Sequence, residues 1–166
     1  MVVPNGLLFG DGVAARIKQR LMEECDLHTI VRLPEGVFAP YTIIPSNLLF
    51  FEKTGRTREV WFYELAPPEG QKRYTKTKPM RFEEFAACQA WWGGPSREDR
   101  VENEHAWRVP VGEIEADNWN LDRRNPNRAD DLAHRPPEEL VAELIETERE
   151  IMALLEEIQA ELRTAP

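Results

Sequence analysis

The sequence predicts an α/β fold, in which a strand-helix-strand crossover and a β-hairpin form part of a sheet and a mainly helical C-terminal region follows. Three observations predict it. The apolar segments Val2-Val3 and Leu27 to Leu33 flank a helical pattern. Two more strand-like segments, Asn47 to Glu52 and Glu59 to Leu65, are separated by turn residues. From Leu140 to Ile158 apolar positions recur at alternating spacings of four and three.

Met1-Val2-Val3-Pro4-Asn5-Gly6 reads as the end of a buried strand that breaks into a loop at Pro4. Such a strand end is expected to begin earlier, so the chain is read as a piece of a longer protein, either an excised domain or a truncated frame. Asp11 is an N-cap candidate for a helix from about Val13 to Glu24. Val13, Ile17 and Leu21, with Ala14, are its expected inward stripe, and Arg16, Lys18, Gln19, Arg20, Glu23 and Glu24 its wet side. Leu27 to Leu33 is β-branched and closes at Pro34-Glu35-Gly36. Strand, helix and strand in so short a span imply a crossover and a parallel pair.

Phe38-Ala39-Pro40-Tyr41 is a loop rich in apolar groups. Asn47 to Glu52 is apolar without interruption, the pattern of a strand covered on both faces. Thr54-Gly55-Arg56-Thr57 reads as the turn into Glu59 to Leu65, which predicts an antiparallel hairpin at one edge of the sheet. A parallel pair plus a hairpin is half a sheet, with an open apolar side.

Residues 66-130 are expected to connect this first region, 1-65, to the last, 131-166. Within them Phe82 to Trp92 reads as a helix closed by Gly93-Gly94-Pro95, and Val111 to Glu115 as a short acidic helix after Trp107-Arg108-Val109-Pro110. Pro136-Pro137-Glu138-Glu139 suits the first turn of a helix running to about Leu162. Such a helix, roughly 37 Å long, is longer than a small domain covers, which predicts a subunit contact, a homodimer among the options.

Composition excludes several classes. A net charge of −9 argues against a simple nucleic-acid binder. Residues 1–80 carry 11 Lys/Arg against 9 Asp/Glu, whereas 81–166 carry 10 against 21, so any polyanion contact belongs to the first half. No apolar run reaches membrane-spanning length and no signal peptide is readable, so no membrane is expected and a cytoplasmic setting is. Cys25 and Cys88 lie far apart, which argues against a disulfide framework or a zinc cluster, and His28, His105 and His134 share no ligand spacing.

The one convergence with chemical character lies where α/β sheets place ligands, at the carboxyl ends of the strands: Pro4-Asn5-Gly6 and Pro34-Glu35-Gly36-Val37-Phe38. From the residues alone, Phe38 is either a core plug or a ring on a ligand, and Asn5 either a turn-former or a polar lip. Lys53, Arg56 and Arg58, with Lys72, Arg73, Lys76 and Lys78, are either solubilising charges or phosphate contacts. Trp91-Trp92 reads as core or subunit interface before it reads as a stacking platform.

Val2 to Phe9, Leu33 to Phe38 and Asn47 to Lys53, in that order and spacing, resemble the second half of the catalytic domain of an N6-adenine DNA methyltransferase, and more closely the modification subunit of a type I restriction-modification system. The resemblance continues through Val60 to Tyr63 and Trp107 to Pro110 to Asn118-Trp119-Asn120-Leu121-Asp122. It implies a Rossmann-like sheet and S-adenosylmethionine as cofactor of the full-length enzyme. Its partners would be DNA and the specificity and restriction subunits.

By the same resemblance Phe38 stacks on the flipped target adenine, and Asn5, Pro34, Gly36 and Pro40 form the pocket wall. Two family hallmarks are absent, the Gly-rich cofactor loop and the Asn/Asp-Pro-Pro-aromatic motif, since Pro67-Pro68 follows Ala66 and Pro136-Pro137 follows Arg135. The resemblance therefore implies no cofactor site and no catalytic residue here, and inactivity of the isolated chain. The alternatives are a non-catalytic assembly module acting through residues 137–162, or an unrelated α/β domain.

Overall fold

β1 (Val2–Pro4) passes at once into a short helix, α1 (Asn5–Phe9), because Pro4 holds the extended conformation that precedes a first helical turn. There follow α2 (Val13–Glu24), β2 (Asp26–Arg32), β3 (Ser46–Glu52) and β4 (Glu59–Glu64). A 3-10 turn (Phe82–Phe85) leads into α3 (Ala86–Trp91), and β5 (Ala106–Pro110) into α4 (Val111–Ala116). This computed structural model describes residues 1–68 and 70–127, then Val141, Ile145, Glu148, Arg149, Ile151 and Met152. Met1–Arg128 is one compact unit and Ala129–Pro166 a second.

The fold is mixed α/β, as expected, but the pairing differs from the sequence expectation. The sheet order is β1-β3-β2-β4-β5. β3 is antiparallel to both β1 and β2, β4 is parallel to β2, and β5 is antiparallel to β4. The expected β1/β2 pair is therefore split by β3, which places Leu48 opposite Val2 and Val31. The expected hairpin does not form either, because β2 lies between β3 and β4.

Thr57 explains the second correction. Its hydroxyl accepts the Leu27 N–H and donates to Cys25 O, both at 2.8 Å, and its own N–H donates to Met22 O at 2.9 Å. The residues after β3 are thus fastened beneath the start of β2. They need cross only one strand, about 10 Å between the two outer neighbours. The sheet also continues past residue 65, since β5 adds to β4 in register, with Trp107 opposite Phe62.

Period-two alternation divides the core. Val3, Leu27, Ile30, Leu49, Phe62 and Trp107 pack with Leu8, Met22 and Ile114 of α1, α2 and α4. Val31, Tyr63 and Ala106 pack with Cys88 and Trp91 of α3 on the other face. α2 itself corrects the expected stripe: Ala15, Lys18 and Met22 are its buried residues, while Val13 and Ile17 are exposed. The Lys18 ammonium is drawn inward by the carbonyls of Leu8 (2.6 Å) and Gly10 (3.0 Å) at the end of α1. Burial lowers its pKa, and Asp11 and Asp117 oppose that shift.

β3 is covered less than its apolar run suggests, since Phe50 and Phe51 stay exposed. Among the described residues no helix is long and apolar enough to cross a membrane. The expected helix from Pro137 to Leu162 lies mostly outside the described residues. The six that are described there are helical, and Val141, Ile145, Ile151 and Met152 are exposed.

Candidate functional site

β1 and β2 run in one direction, both antiparallel to β3, and β4 runs parallel to β2. Their carboxyl ends therefore share one edge of the sheet with the first residues of β3. Asn5 opens α1 there: its N–H donates to Pro45 O (2.9 Å) and its amide oxygen accepts from Asn47 Nδ2 (3.2 Å). Across the same stretch of chain the Leu33 N–H donates to Ser46 O (2.9 Å). Asn5 and Pro34 thus flank Pro45-Ser46, and Asn5 is tied into the edge by its side chain as well as its backbone.

Beyond Pro34 the chain turns outward. Gly36 is buried with φ 77°, and a β-carbon there would overlap the Tyr74 carbonyl oxygen. The Tyr74 N–H donates to Glu35 O at 2.9 Å. The turn then closes on itself: Ala39 N–H donates to Gly36 O (2.9 Å), and Tyr41 and Thr42 N–H donate to Phe38 O (3.0 and 3.2 Å). The Ala39-Pro40 peptide is cis. Phe38 is 38% exposed, and Pro40 is exposed beside it. Asn5, Pro34, Gly36, Phe38 and Pro40 are brought to one edge.

The seven basic candidates separate. Lys72, Arg73, Lys76 and Lys78 are exposed on the segment that Tyr74 fastens to the Glu35-Gly36 turn. Thr75 and Lys78 exchange two backbone bonds of 3.1 Å, which makes a tight turn of that segment. Lys53, Arg56 and Arg58 lie instead at the amino end of β2, about 20 Å away along the strand, and Arg56 is paired with Glu115. Arg32, the last residue of β2, is paired with Asp122 and donates to Arg123 O (2.7 Å), which ties the Asn118–Asp122 segment to the edge.

At the amino end of β2 a cavity of about 540 Å³ is lined by Asp26, His28, Arg58, Glu59, Arg97 and Arg100, among others. Arg100 is buried between the rings of Trp91 and Trp92, at 4.8 and 4.7 Å, and donates to Thr29 Oγ1 (2.8 Å) and Trp92 O (3.0 Å). Burial, with Arg97 nearby, brings its pKa down to about 10. Burial and the two arginines bring His28 down to about 4. Trp91 is a core residue, its indole N–H donating to Val101 O (2.9 Å).

Sequence reasoning singles out Arg56 and Arg58 of this cavity but misses Arg97 and Arg100, which no periodic signal marks. Cys25 and Cys88 are free thiols, burial pushing Cys88 up to about 11. Among the described residues no cluster of His, Cys, Asp and Glu could hold a metal.

The sequence model of a family described as N-6 DNA Methylase matches residues 1–134. The type I restriction enzyme EcoEI methylase subunit of Escherichia coli is 50% identical over 161 residues, 96% of this chain and 33% of that protein. The EcoKI methylase subunit of Escherichia coli strain K12 is 39% identical over 74 residues, 39% of this chain and 14% of that one. A solved modification subunit from Vibrio vulnificus YJ016 superposes with a TM-score of 0.71 at 51% identity, covering 80% of this chain and 28% of its own. A structure concerned with complex assembly and conformational transition of the type I R-M system superposes with a TM-score of 0.72 at 39% identity, covering 100% and 36%. The chain spans about a third of the length of the EcoEI subunit.

Proposed function

Because this chain belongs to the N-6 DNA methylase family, we propose that it forms the target-base side of a type I modification subunit, an S-adenosylmethionine-dependent adenine methyltransferase. The observation that carries this reading is the half-open ring of Phe38, on a braced turn at the carboxyl edge of the sheet, with a basic segment fastened to the same turn. Chemistry on a base requires the nucleotide out of the stack and held between surfaces. Phe38 supplies a stacking face, Asn5 a polar lip, and Pro34, Gly36 and Pro40 fix the ring's position. Lys72, Arg73, Lys76 and Lys78 meet backbone phosphates, which adds affinity without sequence information.

The residues present do not fit the cofactor. β1 runs directly through Pro4 into α1, and β2 into Pro34-Glu35-Gly36, so neither turn is a glycine-rich cradle. S-adenosylmethionine supplies the methyl group of the complete enzyme, is held by other parts of it, and has no site in this chain, which is inactive alone. Lys53, Arg56 and Arg58, at the far end of β2, stand as a separate set of phosphate contacts.

The exposed apolar residues Val141, Ile145, Ile151 and Met152 support a second role in the same subunit. They offer a helix face to the specificity and restriction subunits, or to a second copy of the chain. Sedimentation equilibrium on this chain and on one ending at Arg135 separates these cases, since self-association through the helix is lost in the shorter chain.

Photocrosslinking tests the main reading. A duplex carrying 5-iodouracil at the target adenine, bound to the complete subunit with its specificity subunit, should crosslink within the peptide containing Phe38. A crosslink confined to peptides outside residues 33–45 contradicts it.

A further inference from the structure

Tyr74 lies in a stretch with no periodic signal, yet it is 2% exposed and makes three separate attachments. Its N–H donates to Glu35 O at 2.9 Å. Its carbonyl fills the space beside Gly36 that any side chain would need. Its hydroxyl donates to Glu84 Oε2.

Glu84 completes the arrangement, because its other carboxylate oxygen accepts the Arg81 N–H at 2.9 Å while the Glu84 N–H donates to Arg81 O at 3.2 Å. One carboxylate therefore closes both ends of the segment from Tyr74 to Arg81. Between these ends the paired Thr75 and Lys78 make a tight turn that leaves Lys76 and Lys78 exposed. A free solvated strap would need none of this. Four exposed cations and no carboxylate from Lys72 to Lys78 suit a polyanion, and the buried tyrosine gives that charge a fixed place relative to Phe38.

We infer that Tyr74 is a positioning residue, tying the basic strap Tyr74–Arg81 to the turn that carries Phe38, so that a strand phosphate on the strap and a flipped base on the ring are held at one set distance. The inference rests on the reading of Phe38 as the base-stacking ring. Its consequence is energetic coupling. In the native protein, loss of Phe38 and loss of the strap lysines should not add, because each depends on the other's placement. With the junction loosened, the two losses should become independent.

The experiment is a double-mutant cycle between Phe38→Ala and the pair Lys76→Ala, Lys78→Ala, in the complete subunit assembled with its specificity subunit. It reads the fluorescence of 2-aminopurine at the target position and the kcat and KM for methylation. The cycle is repeated with Tyr74→Phe, which keeps the ring and the backbone attachment to the Glu35-Gly36 turn but removes the hydroxyl, and with Glu84→Gln, which weakens the same bond from the carboxylate side; each loosens the closure that holds the far end of the strap in place. We expect native coupling of about tenfold, the scale of one well-placed charged hydrogen bond. It should fall below about twofold in both loosened backgrounds, with kcat lowered more than KM is raised. Additive losses in the native background, or coupling that survives both Tyr74→Phe and Glu84→Gln, overturn the inference while leaving Phe38 as the stacking ring. A silent Phe38→Ala overturns the stacking reading and the inference together.

Discussion

The carbonyl oxygen of Tyr74 occupies the position that a β-carbon on Gly36 would take. Gly36 holds φ at 77° as well, so backbone conformation and packing select glycine independently. Left-handed backbone costs a larger residue about 1 kcal/mol or more, and overpacking against a main chain that cannot swing away adds about 1–3 kcal/mol.

Gly36→Ala should therefore destabilise the chain by about 3 kcal/mol. Gly112→Ala is the control, since Gly112 lies in α4 with open space around it and no left-handed φ. It should be neutral or stabilise by up to about 1 kcal/mol. Urea denaturation of both variants checks the pair, and equal stability for the two contradicts the close approach.

Thr57→Val keeps the shape of a residue that is 1% exposed while removing the hydroxyl that serves Leu27 N–H and Cys25 O. Loss of a buried bond that leaves its partners unpaired costs about 1–3 kcal/mol. Thr57→Ser should keep most of the stability. A Val variant as stable as the native chain would mean that the hydroxyl does not fasten the β3–β4 connection.

His28 makes stability depend on acid. Its folded pKa of about 4 lies below its ordinary 6.5, so between these values the unfolded chain binds the proton and the folded one does not. The stabilisation is present above pH 6.5 and is lost as the pH falls through 4, by up to about 3 kcal/mol. His28→Gln should flatten the stability curve across that window. Parallel curves for both chains contradict the assignment.

Particular residues show what can and cannot be read from sequence. The segments that became α2, β2, β3, β4 and α4 were legible because apolar spacing reports which residues share a face. Pairing order was not, since Thr54 to Thr57 looks like a hairpin turn until the Thr57 hydroxyl is seen holding the start of β2. Charge alone puts Lys18 on the wet side, and only the carbonyls ending α1 account for its burial. Phe38 and Gly36 announced themselves as a loop of unusual composition. Tyr74, distant along the chain, carries no local mark of its contact with them.

S-adenosylmethionine titrated into the isolated chain by calorimetry should give no saturable heat, and the chain should transfer no methyl group to DNA. Neither the β1–α1 junction nor the turn after β2 is a glycine-rich cradle, and no Asn/Asp-Pro-Pro-aromatic motif is present. One equivalent bound at micromolar affinity would contradict the division of labour proposed for residues 1–166.

The measurement that reaches the central claim most directly is 2-aminopurine fluorescence at the target adenine, with native and Phe38→Ala forms of the complete subunit bound to its specificity subunit and DNA. Stacking on an aromatic ring is worth about 1–3 kcal/mol per base, or about 5- to 150-fold in the population of captured base. The account predicts that Phe38→Ala melts within a few degrees of the native protein, binds the duplex, and loses capture and methylation by a factor in that range. A stably folded Phe38→Ala protein with native fluorescence and native methylation kinetics would contradict it.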